Sequence, residues 1–180
     1  MDRVKLATLW LGGCSGCHMS FLDLDEFLLD LAARVDIVYS PLIDTKEYPE
    51  GVDVALVEGA VANEEHLAMI RLVRQRTKML ISFGDCAVTG NVTALRNPLG
   101  GAEPVLRRVY LENGDLNAQI PAAEGIVPPL VDRVVPVHTV VPVDFYLPGC
   151  PPPAPRIRAV LEQLLAGETP HLDGAEIRFG

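Results

Sequence analysis

Short apolar runs alternate along most of the chain with segments whose apolar residues recur at the spacing of a helix. The runs are rich in apolar and β-branched residues, as in the buried strands of parallel sheets. They predict five strands, over residues 5–11, 35–41, 52–59, 78–84 and 143–147. Between them, Phe21 to Arg34 carries an apolar stripe, and Asn63 can cap a helix that reaches about Thr77. Residues 153–167 predict a last helix, with proline near its start and glycine at its end.

This order of strands and helices predicts an α/β fold. Alternation of this kind gives a doubly wound, flavodoxin-like, mostly parallel sheet with helices on both faces. The pattern is interrupted from about residue 96 to 142 by a stretch rich in proline and glycine, with one short helix predicted at 104–111. Such a stretch is long for a passive connection. We therefore expect a single domain over residues 1–180 with an irregular insertion at about 96–142.

Charge and composition limit the classes of partner and the cellular compartment that we expect. The formal net charge of −9 argues against nucleic acid or an anionic membrane as the main partner, because both need basic patches. The uncharged runs fall short of the roughly 18 apolar residues that a membrane helix needs, and the start of the chain lacks a signal-peptide pattern. We expect a cytoplasmic protein, in which the four cysteines need a use other than disulfides.

Each cysteine follows a predicted strand. Cys14 and Cys17 come after the first strand, Cys86 after the fourth and Cys150 after the fifth. Ligands of open α/β sheets bind at the carboxyl ends of the strands, so these positions can form one site. Their loops, GGCSGC, GDCAVTG and PGCPPP, contain glycine, which lets backbone N–H groups approach anionic sulfurs. Four thiolates around a cubane iron–sulfur core leave a net charge of roughly −2 when oxidised, which suits such loops.

Other uses of the cysteines remain open at this point. A structural zinc site also takes four cysteines, but usually from two close pairs. Cys14 and Cys17 alone could form a thioredoxin-like dithiol, with Cys86 and Cys150 as small core residues. A flavodoxin-type domain would bind a flavin phosphate in its first loop. Here that loop carries thiols in place of the expected hydroxyl and glycine donors.

Four motifs in register carry a family resemblance. The segments LGGCSGCHMS, LVEGAV, FGDCAVTGN and LPGCPPP closely resemble the small subunit of [NiFe]-hydrogenases and the related cluster-bearing 20-kDa-type subunit of respiratory complex I. The resemblance spans nearly the whole chain. It implies that Cys14, Cys17, Cys86 and Cys150 hold the proximal [4Fe–4S] cluster.

The same motifs favour one branch of that family. Complex I homologues carry adjacent paired cysteines in the first motif, whereas this chain has CSGC. The segment GDCAVTGNVTALRN is most similar to the small subunit of soluble, bidirectional NAD(P)-reducing hydrogenases. The chain has no room for the leader and the additional cluster domain of periplasmic forms, so we expect the short cytoplasmic form.

The resemblance also implies partners and a mechanism. Family members pair with a large subunit that carries the Ni–Fe centre and with diaphorase subunits that carry FMN, iron–sulfur clusters and the NAD(P) site. This chain would relay electrons and hold no hydrogen-activating metal. Its cluster edge and the 96–142 insertion would face the partner. A complex I-like quinone-oxidoreductase relay subunit and a stand-alone flavodoxin-like electron carrier are the alternatives.

Two further residues lie near the predicted site. Glu58 ends the third strand, where it could carry protons away from the partner's active site, tune the cluster, or be an ordinary polar strand end. His18 follows the second cysteine and could hydrogen-bond a sulfur, or simply start a helix. His66, His138 and His171 show no mutual ligand spacing, so we interpret them as structural.

Overall fold

The computed structural model describes residues 3–174, 176, 177 and 179. Its strands are β1 (Val4–Trp10), β2 (Val35–Tyr39), β3 (Val52–Glu58), β4 (Val61–Asn63), β5 (Thr77–Phe83), β6 (Leu130–Val135) and β7 (Phe145–Leu147). Its α-helices are α1 (Gly16–Leu22), α2 (Phe27–Arg34), α3 (Glu64–Arg76), α4 (Asp85–Thr89), α5 (Ala102–Leu106) and α6 (Ala154–Leu165). The five predicted strands correspond to β1, β2, β3, β5 and β7, with ends shifted by one or two residues.

The main sheet has five parallel strands in the order β2-β1-β3-β5-β7. This is a doubly wound order whose direction reverses between β1 and β3. Alternate residues of a strand point to opposite faces, so Leu6, Leu56 and Ile81 pack with α1, α2 and α6 on one side. Val57 and Leu80 pack with α3 on the other. The predicted fold class, a mostly parallel sheet with helices on both faces, is confirmed.

The first predicted helix was wrong as a single element. The segment 21–34 contains the end of α1 and all of α2, with a break at residues 23–26 between them. Asp25 has φ +49°, a left-handed conformation that a right-handed helix excludes. The predicted apolar stripe still faces the core, because Phe21 before the break, Leu24 within it and Leu31 after it are all buried.

The later helices follow the sequence prediction more closely. Asn63 caps α3, and its side-chain oxygen accepts the His66 backbone N–H at 2.7 Å. The inward residues Ile70 and Val73 are completely buried. Helix α6 begins with Pro155 in its first turn and ends two residues before Gly167.

The insertion holds more structure than predicted. Helix α5 and the π-helical turn Arg107–Glu112 occupy the predicted short helix at 104–111. Strand β6 was not predicted, and it pairs antiparallel with the short strand β4. Arg96 stabilises this pair of strands, because its guanidinium donates hydrogen bonds to the carbonyls of Ala62 and Val131 at 3.0 and 2.6 Å. The insertion is therefore bound to β4, the short strand that follows β3, and is not a free loop.

Two predictions about the whole chain stand apart from these elements. The single domain over residues 1–180 stays a prediction, and positions 1, 2, 175, 178 and 180 of it lie outside the described residues. Within the part of the chain that is described, none of the helices combines the length and the apolar character needed to cross a membrane.

Candidate functional site

The four cysteines meet at one edge of the main sheet. Cys14 and Cys17 follow β1, Cys86 follows β5 and Cys150 follows β7. All four line one small cavity of about 60 Å³ at the carboxyl ends of these strands. Glu58, the last residue of β3, lines the same cavity. The structure therefore brings together the positions that the sequence analysis selected.

A glycine contact between two segments fixes the first cysteine loop. Gly12 and Ala60 exchange two backbone hydrogen bonds of 2.8 Å each. Gly59 has φ +89°, and a Cβ at this position would lie 2.9 Å from the carbonyl carbons of Leu11 and Gly12. Only glycine allows this conformation together with so close an approach. The loop that carries Cys14 is thus held against the end of β3.

Asp85 joins the second and third cysteine loops. Its buried carboxylate accepts the Gly149 backbone N–H at 2.6 Å. Its own N–H donates to the Gly149 carbonyl at 2.9 Å. Since Asp85 precedes Cys86 and Gly149 precedes Cys150, these two bonds set the spacing of the two cysteines.

Glycines also make room for the sulfurs themselves. Gly84 has φ +83°, and an added Cβ would lie 2.1 Å from the Cys17 Sγ. A Cβ at Gly16 would lie 3.2 Å from the Cys14 Sγ. The cavity is therefore shaped by missing side chains, as expected where a bulky group must sit close to the backbone.

The four thiols differ in their surroundings. Cys17 is buried, Cys86 is half-buried, and Cys14 and Cys150 are exposed. Burial raises the pKa of the Cys17 thiol far above its ordinary value, and the nearby Glu58 carboxylate and the other cysteines raise it further. Burial also raises the pKa of Cys86. Such thiols lose their proton when a cation binds the sulfur, as metal ligands do.

Glu58 and His18 form a buried pair behind the cysteines. Glu58 is 2% exposed and His18 4%. The Glu58 Oε2 accepts the His18 backbone N–H at 3.1 Å and is also in hydrogen-bond contact with the His18 Nδ1. Within the described residues the His18 Nε2 has no hydrogen-bond partner. The His18 ring packs edge-on against Trp10, with 5.2 Å between the ring centroids.

The donor arrangement differs from that of a single metal ion. Within the described part of the chain, no three His, Cys, Asp or Glu side chains stand close enough to share one ion. Zinc would require four sulfurs at about 2.3 Å from a common centre. A cubane cluster places its four thiolates farther apart, because each thiolate binds a different iron. A cluster therefore accepts a wider spacing of its four thiolates than zinc does.

The structure adds residues that sequence reasoning did not select. Asp85 lies within the motif GDC, where only its position next to a cysteine could have indicated a role. Asn91 donates its side-chain amide to the Cys150 Sγ at 3.4 Å. Thr93 donates its hydroxyl to the Gly12 carbonyl at 2.8 Å. No periodicity signals these contacts, since they depend on a turn that packs against distant loops.

Comparison with known proteins agrees with the motif resemblance. The family model for the NADH ubiquinone oxidoreductase 20 Kd subunit matches residues 14–164. The chain is 44% identical over 174 residues to a subunit of the F420-non-reducing hydrogenase vhu of Methanococcus voltae, covering 95% of this chain and 59% of that protein. It is 38% identical over 171 residues to the NAD-reducing hydrogenase HoxS subunit delta of Cupriavidus necator, covering 92% and 80% of the two chains.

A solved structure shows the same fold at similar identity. A chain in the crystal structure of an NAD+-reducing [NiFe]-hydrogenase in the H2-reduced state matches with a TM-score of 0.94 and 39% identity. The match covers 99% of this chain and 100% of that one. By contrast, the chain spans only a little more than half the length of the F420-non-reducing hydrogenase subunits that it matches. The chain therefore belongs to the NADH ubiquinone oxidoreductase 20 Kd subunit family, in the part of it that includes hydrogenase subunits.

Proposed function

We propose that this chain is the electron-transfer small subunit of a cytoplasmic, NAD(P)-linked [NiFe]-hydrogenase. In this proposal Cys14, Cys17, Cys86 and Cys150 bind one proximal [4Fe–4S] cluster. The observation that carries it is the meeting of all four cysteines at one cavity in a chain of this family. The Ni–Fe centre belongs to the large subunit, and FMN and the NAD(P) site belong to diaphorase subunits.

The residues of the cavity suit such a cluster. Four thiolates are the usual ligands of a cubane core, and the glycines beside Cys17 and Cys14 leave space next to the sulfurs. When bound, the cluster supplies a centre that accepts and releases one electron at a time. The protein holds the sulfurs in place, and the burial of Cys17 keeps water from that side.

Exposure of the other cysteines indicates how the partner docks. Cys14 and Cys150 reach the surface, and electron transfer needs a close approach of the two centres. The 3₁₀ helix Asn91–Leu99 begins beside Cys150. On it, Val92, Leu95 and Leu99 are 63%, 67% and 64% exposed. Large apolar side chains grouped at a surface mark a protein interface, so this face is the proposed contact with the large subunit.

Glu58 is the proposed proton carrier of this chain. It is a buried carboxylate that lines the cysteine cavity, next to the surface on which the large subunit would dock. The competing role is structural, since Glu58 also anchors His18. Glu58→Gln keeps an oxygen acceptor for the His18 N–H but carries no proton. Slower exchange between hydrogen gas and solvent deuterons at unchanged cluster content supports the proton role, whereas unchanged exchange contradicts it.

The electron acceptor has two candidates. The TM-score of 0.94 and 39% identity to the NAD+-reducing enzyme support an NAD(P)-linked complex. The 44% identity to an F420-non-reducing hydrogenase subunit supports a complex that uses a different acceptor module. Both candidates give this chain the same relay role.

Hydrogen-driven reduction by the purified complex tests the proposal. We expect the complex to reduce NAD+ or NADP+ with hydrogen, and Cys150→Ser to abolish this reduction. Hydrogen–deuterium exchange needs the large subunit's centre and a proton path but no electron relay, so it should persist in the variant and serves as the control. A complex that reduces artificial dyes with hydrogen but reduces neither NAD+ nor NADP+ would favour the second candidate. Wild-type rates of nucleotide reduction by the Cys150→Ser variant would contradict the relay.

A further inference from the structure

The turn after α4 combines an unusual backbone with a contact to sulfur. Gly90 and Asn91 have φ +88° and +34°, two left-handed residues in succession. Asparagine is among the few residues with a side chain that tolerate this region. A strained backbone persists where the surrounding structure fixes it, often at functional sites. Here it aims the Asn91 side-chain amide at the Cys150 Sγ, 3.4 Å away.

The same turn contacts the other cysteine loops. Val92 and Thr93 lie beside Cys86, where their hydrogen-bonding groups lower the pKa of the thiol against the larger, raising effect of burial. A threonine hydroxyl has one hydrogen to donate, and that of Thr93 goes to the Gly12 carbonyl at 2.8 Å. The Thr93 hydroxyl therefore holds the turn against the first loop, and the Asn91 side-chain amide donates to the Cys150 sulfur.

We propose that Asn91 sets the reduction potential of the group held by the four cysteines, by donating its side-chain N–H to the Cys150 sulfur. This inference rests on the proposed function. Uptake of one electron, without a proton, takes the net charge from roughly −2 to roughly −3 and makes the sulfurs more negative. An N–H donor stabilises that more negative state and raises the potential.

Cys150 is the position where one side-chain donor should matter most. It is exposed in this chain, so water supplies its other hydrogen bonds until a partner covers it. Once docking excludes that water, the amide of Asn91 remains, and the lower dielectric strengthens its interaction with the sulfur. Asn91 is thus a positioning and tuning residue for electron transfer, and it takes no part in hydrogen activation.

Two variants separate the amide from the backbone. Asn91→Gly accepts the left-handed turn and removes the donor, whereas Asn91→Asp keeps the shape but presents a carboxylate to the sulfur. We expect both to lower the midpoint potential in an EPR-monitored anaerobic redox titration of the whole complex, Asp more than Gly. Iron and acid-labile sulfide should be unchanged. Asn117 is a matched control, because it is an exposed asparagine with φ +53°, and Asn117→Gly and Asn117→Asp should leave the potential unchanged.

The possible failures are distinguishable. Wild-type complex without labile sulfide contradicts the proposed function, and the inference with it. Intact cluster content with an unshifted potential in both Asn91 variants overturns the inference alone. If the variants lose the cluster, pulsed EPR of wild-type complex labelled with 15N-asparagine decides the matter. A hyperfine coupling to an asparagine side-chain nitrogen supports the contact, and its absence overturns it.

Discussion

Replacement of Gly84 by alanine should destroy the cysteine site through one methyl group. Gly84 has φ +83° and ψ 162°, a region that is essentially restricted to glycine and costs another residue about 1–3 kcal/mol. The new Cβ would lie 2.1 Å from the Cys17 Sγ. Ordinary contact needs about 3.5 Å or more, so the sulfur must move by roughly 1.5 Å. Metal–ligand distances tolerate only about 0.2 Å, and the cluster should be lost.

The assay is iron and acid-labile sulfide per complex after anaerobic purification of Gly84→Ala. Gly51→Ala is the matched control, because Gly51 has φ +69° but nothing within 4 Å of an added Cβ. The control should lose about 1–2 kcal/mol of stability from left-handed strain and keep its full iron content. Gly84→Ala complex with wild-type iron, sulfide and EPR spectrum would refute the reasoning.

Three further predictions concern other contacts. Burial raises the pKa of Tyr48 to about 12, so the free energy of unfolding should fall as pH rises from about 10, where unfolded tyrosine ionises. Tyr48→Phe should flatten this fall in denaturant titrations, but cost about 1 kcal/mol at neutral pH through the lost Thr77 bond. Asp85→Ala should lower the stability of the complex in thermal unfolding by about 1–3 kcal/mol, because a buried Gly149 N–H loses its acceptor. Asp85→Asn, which keeps an oxygen there, should lose less. Arg96→Lys cannot serve the three backbone carbonyls that the guanidinium binds. Amide hydrogen exchange in β4 and β6 should become about tenfold faster than in wild type, whereas exchange in α6 should not change. Wild-type exchange rates in β4 and β6 of the variant would contradict this role.

Much of the fold followed from the sequence because buried parallel strands are continuous apolar runs. Each cysteine follows the end of a predicted strand. Because ligands of open α/β sheets bind at the carboxyl ends of the strands, the sequence predicted that the cysteines meet at that edge. The break between α1 and α2 was missed because it depends on the left-handed Asp25, which leaves the apolar spacing unchanged. The pairing of β4 with β6 was missed because a three-residue strand shows no period and its partner lies more than sixty residues away.

The interior of the site was less predictable than its position. The contact between His18 and Glu58 joins residues 40 positions apart, and nothing in either local pattern indicates it. The hydrogen bond from Asn91 to Cys150 spans 59 positions and needs a strained turn. Local sequence determined which residues follow each strand, whereas the packing of four loops determined which of them touch.

Metal analysis of this chain in its complex tests the central claim most directly. Iron and acid-labile sulfide would be measured anaerobically, together with low-temperature EPR spectra, for wild type and for Cys150→Ser. The account predicts about four irons and four sulfides attributable to this chain, with the signal altered or lost in the variant. Zinc without labile sulfide, or a variant identical to wild type, would contradict it.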